Sequence, residues 1–172
     1  MDSQPPTDSA PHLTVREHPI VRSVGIVAVL FVFHTAALFY TAWATERLQH
    51  MLHKLVGLHA TSITVVLISF MALMAAHLFE GYVWGLFLRR QKLLSSLPES
   101  FYFALSSLSA VGYGDVVLPR GKRFYGPIMA TSGLLMFGCS TAFLFLVIQR
   151  AWEQLPKSIS MQGIASVVVS GL

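Results

Sequence analysis

The segment Val111-Gly112-Tyr113-Gly114-Asp115 places a glycine on either side of a tyrosine, between long apolar runs. Glycine adopts backbone angles that other residues avoid. Successive peptide oxygens of such a segment can therefore point towards one axis, where they replace the water around a cation. One chain supplies only one such strand, so a closed ring of ligands needs several copies, and four is the expected number.

A second group that could do chemistry is His77 with Glu80, which lie three residues apart inside an apolar run. This spacing puts both side chains on one face of a helix. Ionisable groups inside a membrane are costly and often functional, so one interpretation is a gating role as a sensor of protons or metal ions. The interpretation that we favour is a hydrogen-bonded pair that fixes this second apolar helix against the short helix that follows it. His34, in an earlier apolar run, could be their partner on another helix.

The composition indicates that lipid surrounds these residues. Of the 172 residues, 54% are hydrophobic and 12% charged, whereas soluble domains carry about 25% charged residues. The net charge of +4 does not indicate a nucleic-acid partner, because the basic residues flank apolar runs, as they do at membrane edges. Three runs are long enough to cross a bilayer, at residues 24–44, 58–88 and 124–148. The sequence therefore predicts an all-α membrane protein with three transmembrane helices.

A short helix is predicted between the second and third runs. Pro98 and Glu99 are typical of a first helical turn, and about ten residues follow before the glycines. That helix is too short to cross the membrane, so we predict a re-entrant loop. Lipid tolerates such a loop only where protein buries it or where it lines a water-filled path.

The chain divides into four predicted parts. Residues 1–22 form a polar tail with the composition of a disordered segment. Residues 23–57 hold the first spanning helix and, at 45–57, an amphipathic helix that would lie at the membrane interface. Residues 58–148 form a pore domain, and residues 149–172 are a C-terminal tail.

Residues 111–115 resemble the signature selectivity filter of tetrameric potassium channels. The order and spacing of spanning helix, short pore helix, filter and spanning helix also resemble that family, over roughly half the chain. The protein is similar to small prokaryotic members, with an extra leading helix. The resemblance implies a homotetramer in the cell membrane that passes potassium ions, without enzymatic activity and without a cofactor.

The resemblance also implies roles for individual residues. Tyr102 would hydrogen-bond Asp115 behind the filter. Ser109 takes the place of a threonine that ends the pore helix, and Ser106 takes the place where some members carry a glutamate. The filter itself would consist of Ala110, Val111, Gly112, Tyr113 and Gly114, with K⁺ bound by the carbonyl oxygens of the first four.

One residue departs from the family pattern. The filter usually begins with a threonine, whose hydroxyl completes the innermost ion site, and this chain has Ala110 instead. We predict weaker binding at the inner site with potassium selectivity kept. A non-selective cation channel is the alternative, because one layer of ligands is altered.

Two glycines of the third run, Gly133 and Gly138, lie where the family's inner helix often bends. A gating hinge is one interpretation, centred on Gly133. The other is close helix packing through small residues, in which Gly138 shares a smooth face with Cys139, Ser140 and Ala142.

The distribution of Lys and Arg conflicts with the orientation that the resemblance implies. With the filter near the outer face, four of these residues lie inside and eight outside, whereas cytoplasmic loops usually carry the excess. Either the first segment does not cross, which would return Arg16 and Arg22 to the cytoplasm, or the orientation is unusual, and we keep the family's orientation.

A different class of function is a haem- or metal-binding membrane redox protein that uses His34, His59 and His77. This hypothesis explains neither the short re-entrant segment nor the glycines around Tyr113. We found no nucleophile with a base, no phosphate-binding loop and no regular metal-ligand spacing in the sequence, and therefore predict that the protein is not an enzyme.

Overall fold

The structure, a computed structural model, describes residues 18–56 and 58–153, and its regular secondary structure in that part is helical. The helices are α1 (His18–Val56), α2 (Leu58–Arg90), α3 (Leu97–Leu108) and α4 (Tyr125–Glu153). A 3₁₀ turn at Arg120–Lys122 precedes α4. The predicted tails fall largely outside the described residues, which omit 1–17 and 154–172.

Three of the helices are long and apolar enough to cross a membrane, at Val21–Met51, Ala60–Arg90 and Arg120–Glu153. This confirms the three predicted spanning segments. Their outward faces carry large apolar side chains in full contact with the surroundings, such as Phe39 and Leu135. Side chains of this kind on every long helix are what a lipid environment requires.

The first helix differs from the prediction. It begins at His18, inside the stretch predicted to be a polar tail, and continues to Val56 without a separate interfacial helix at 45–57. No glycine or proline interrupts the sequence between Thr45 and Val56, and both are the residues that most often end a helix. Thr45 is buried and its hydroxyl donates to the carbonyl of Thr41 at 2.8 Å, within the same continuous helix.

The core holds α3 between α2 and α4. Trp84 and Leu88 of α2 pack in one buried cluster with Phe103 and Leu108 of α3 and with Met129 of α4. The backbones of α2 and α3 also approach closely, because a Cβ added to Gly85 would lie 3.0 Å from backbone atoms of Phe101. The short helix is therefore fixed along its length, and the segment that follows it starts from a rigid position.

Candidate functional site

The helix α3 begins where the sequence predicts. Ser96 has an extended backbone, and its hydroxyl accepts the N–H of Glu99 at 3.2 Å. The carboxylate of Glu99 in turn accepts the backbone N–H of Ser95 at 3.2 Å. These contacts satisfy N–H groups that a helix start leaves unpaired. At the other end the hydroxyl of Ser109 donates to the carbonyl of Leu105 at 2.8 Å.

The backbone after α3 alternates in handedness. Ala110, Gly112 and Gly114 have φ of 57°, 52° and 81°, whereas Val111 and Tyr113 are not in the left-handed region. In such an alternation successive peptide groups can turn their N–H bonds to one side and their carbonyls to the other. Ala110 adopts this conformation against the steric preference of its Cβ, which costs about 1–2 kcal/mol. A strained backbone of this kind often marks a functional segment.

Two hydrogen bonds join this segment to α3. The N–H of Ala110 donates to the carbonyl of Ser107 at 2.9 Å, and the N–H of Gly112 donates to the carbonyl of Ser106 at 3.0 Å. The hydroxyl of Ser106 donates to the carbonyl of Phe103 at 3.1 Å. Ser106 therefore contacts the segment through its main chain, while its side chain bonds back to its own helix.

The hydrogen bond expected from the resemblance between Tyr102 and Asp115 is present. The Tyr102 hydroxyl donates to Oδ2 of Asp115 at 2.7 Å. This hydrogen bond lowers the pKa of the Asp115 carboxyl below its usual range and raises the pKa of the Tyr102 hydroxyl. The contact ties the end of the segment back to α3, thirteen residues earlier.

The side chains of this segment lack cover within one chain. Val111 is 53% exposed and Tyr113 is 73% exposed. A cavity of about 340 Å³ beside them is lined by residues of α2, α3 and α4. Apolar side chains exposed next to a cavity are typical of surfaces that bind a partner.

Gly133 lies against the end of α3. A Cβ at this position would lie 2.0 Å from the carbonyl oxygen of Leu108, so only glycine fits here. Gly138 has no neighbour within 4 Å of such an atom, and Cys139 is exposed. Within one chain Gly138 and Cys139 are therefore not in close helix packing, whereas Gly133 is, and Ser140 is buried.

His77 and Glu80 belong to a buried ring of four side chains from three helices. His34 Nδ1 of α1 is 2.6 Å from Glu80 Oε1, and His77 Nδ1 is 3.0 Å from Glu80 Oε2. The Oγ of Ser140, on α4, is 3.1 Å from His34 Nε2 and 3.0 Å from His77 Nε2. The predicted partnership of His34 with this pair is confirmed, and each helix that can span the membrane contributes to the ring.

His34, His77 and Glu80 could hold a metal ion, because one ligand atom of each lies within 4.8 Å of the others. The redox hypothesis used His59 as well. His59 lies in α2, but its side chain is outside the described part of the structure.

The sequence did not reveal two groups that make these contacts, the Ser140 hydroxyl in the buried ring and the Leu108 carbonyl against Gly133. Ser140 was considered only as a small residue, because a serine in an apolar run gives no signal of which helix it faces. The carbonyl of Leu108 was missed because its contact with Gly133 depends on how closely α3 and α4 approach.

A family model described as an ion channel matches residues 62–150, just over half of the chain. The match includes most of α2, all of α3, the segment after α3 and most of α4, and it leaves out α1. No curated protein and no solved structure matches the chain. With three helices able to cross a membrane, the chain is a multi-pass membrane protein that belongs to the ion channel family of the pore-loop type.

Proposed function

We propose that the protein is a potassium-selective channel, in which four copies arrange the carbonyl oxygens of residues 110–113 around one axis. The observation that carries the proposal is the alternating backbone, with left-handed φ at Ala110, Gly112 and Gly114. Main-chain oxygens that face a common axis can replace the hydration shell of K⁺. In this arrangement α3 is the re-entrant pore helix and the segment after it is the selectivity filter.

The need for several copies follows from the exposure of the filter. One chain provides one wall, and the side chains of Val111 and Tyr113 have little cover within that chain. Neighbouring copies would cover these side chains. Fourfold symmetry is the arrangement that the resemblance to tetrameric potassium channels implies.

Conduction in this proposal needs no chemical step. A K⁺ ion loses its water as it enters the filter, the carbonyl oxygens compensate for that loss, and ions in adjacent sites repel one another onwards. The C-terminal end of α3 carries the negative end of the helix dipole. Because α3 ends at Leu108, directly before the filter, this end would help to hold a cation below the filter.

Ala110 determines which ligands the innermost ion site offers. A threonine would supply a hydroxyl there, and alanine supplies only its carbonyl. We expect the inner site to bind K⁺ more weakly while the remaining carbonyl sites keep the selectivity. A non-selective cation channel is the second candidate, and the loss of this hydroxyl is the observation that favours it.

Ion flux into liposomes that contain the purified full chain tests the proposal. We expect a reversal potential that follows the K⁺ gradient and not the Na⁺ gradient. Equal permeability of the two ions would favour the non-selective channel, and vesicles that leak no faster than empty ones would contradict both.

A matched pair of variants tests the role of the backbone. Gly112 and Gly121 both have open space where a Cβ would lie, but only Gly112 has a left-handed φ. Gly112→Ala should therefore lower K⁺ flux or selectivity at least tenfold because of backbone strain, while Gly121→Ala should leave both unchanged. Normal K⁺ flux and selectivity in Gly112→Ala would contradict the proposed filter.

A further inference from the structure

We propose that His34, His77 and Glu80 form a binding site for a divalent transition metal ion of the Zn²⁺ class, which joins α1 to the rest of the channel. The three donors come from two helices and approach within 4.8 Å of one another. The three residues are 1%, 8% and 1% exposed. This site is separate from the filter and goes beyond the conduction of potassium.

The donor atoms select the class of metal. Two imidazole nitrogens and one carboxylate oxygen are the ligands of many zinc sites that keep a fourth position open. Imidazole also suits copper, nickel and iron. Magnesium and calcium prefer sets made of oxygen alone, so a set with two histidines disfavours them.

The two rings are oriented as metal ligands would be. Both Nδ1 atoms face the carboxylate of Glu80, and both Nε2 atoms face Oγ of Ser140. A metal ion on the Nδ1 side would leave both Nε2–H groups to donate to one hydroxyl oxygen, which has two lone pairs. Histidines that bind metals almost always donate their second N–H to such a partner. Ser140 thus acts as a positioning residue for both histidines.

A local rearrangement converts the hydrogen-bonded ring into a metal site. With metal–ligand distances of about 2.0–2.2 Å, neighbouring donors of a tetrahedral site lie roughly 3.3–3.5 Å apart. The contacts of 2.6 Å and 3.0 Å between the histidines and Glu80 would open by less than about 1 Å, and donors as far apart as 4.8 Å would close by about 1.3–1.5 Å. With Glu80 ionised and both histidines neutral, the ligand set carries one negative charge, which offsets one charge of the ion.

A path leads to the site from the side of the filter. His77 and Glu80 line the cavity of about 340 Å³ that also reaches Val111 and Tyr113. An ion could enter the ligand set through this cavity without crossing the packed core between α2 and α3.

The bound ion would connect a helix that is not part of the family domain. The family match begins at residue 62, after α1, and His34 is the ligand that α1 supplies. Glu80 and His77 belong to α2, inside the match. The metal would therefore hold the leading helix against the helices that the family match covers.

Zinc binding by the purified full chain tests this inference, with an affinity tag that contains no histidine. Cys139 is an exposed thiol, so all variants should carry Cys139→Ser. Calorimetry with ZnCl₂ should give one Zn²⁺ per chain, and the thermal unfolding temperature should rise with Zn²⁺ because the ion binds the folded state. Glu80→Gln keeps the shape of the side chain but not its charge, and should weaken binding by about 100-fold or more. Ser140→Ala keeps all three ligands and should weaken binding by about 10–100-fold.

The control is His50→Gln, which removes an exposed histidine of α1 far from the ring in sequence and should not change the affinity. Absence of saturable binding in the parent protein would overturn the inference. A Zn²⁺ affinity in Glu80→Gln equal to that of the parent protein would also overturn it. If Glu80→Gln does not fold, an unchanged affinity in folded Ser140→Ala would overturn it instead. Binding is measured without ion flux, so this result is independent of the potassium proposal.

Discussion

Replacement of Gly133 by alanine is expected to force α3 and α4 apart. The added Cβ would lie 2.0 Å from the carbonyl oxygen of Leu108, whereas ordinary contacts begin at 3.4 Å, so one helix must shift by about 1.4 Å. The obstacle is backbone, which cannot rotate away as a side chain could. Overpacking of this kind costs about 1–3 kcal/mol, and the upper end applies here.

Gly138→Ala is the matched control for this prediction. Both glycines lie inside α4, so the gain in helix propensity of up to about 1 kcal/mol is common to both variants. Gly138 has no neighbour within 4 Å of the added atom. The free energy of unfolding should therefore be lower for Gly133→Ala than for Gly138→Ala by about 1–3 kcal/mol.

Denaturation of the two purified variants in the same detergent measures this difference, and liposome flux measures its effect on the pore. We expect Gly133→Ala to lose K⁺ flux together with stability, because the displaced end of α3 carries the proposed filter. A gating hinge at Gly133 would give a different result, with unchanged stability and an altered open probability. That result would refute the packing argument.

Two further predictions concern the filter. Tyr102→Phe removes the hydrogen bond to Asp115. Because that bond lowers the pKa of Asp115, it stabilises the folded protein above the ordinary carboxyl pKa and is lost as the pH falls through the lowered value. The variant should be less stable at neutral pH than the parent protein, and its stability should fall less on acidification. Thermal unfolding temperatures measured against pH would give parallel curves for the two proteins if the reasoning were wrong. Ala110→Thr should raise ion occupancy at the innermost site, as measured by anomalous scattering from Tl⁺, and no gain there would contradict the role assigned to the missing hydroxyl.

The parts of the fold that depend on local sequence could be predicted well. Apolar run length predicted the three long helices, because roughly 20 apolar residues are needed to cross a bilayer. Pro98 and Glu99 predicted the start of α3, since capping is a local interaction. The glycines at 112 and 114 predicted an unusual backbone, because few other residues adopt a left-handed φ.

The parts that depend on packing between helices could not be predicted. The sequence around Thr45 is compatible with a separate interfacial helix and with a continuous α1, and the tertiary contacts of α1 decide between them. To predict the ring around Glu80 one must know which face of α4 is turned towards His77, because that face carries Ser140. The left-handed φ of Ala110 was also unexpected, because alanine gives no sign of a conformation that it normally avoids.

The most direct measurement is a structure of the purified full chain in lipid nanodiscs with K⁺ present. The account predicts four copies around one axis, with K⁺ between rings of carbonyl oxygens from residues 110–113 and with Val111 and Tyr113 pointing away from the axis. Another number of copies, or side chains in place of carbonyl oxygens on the axis, would contradict it.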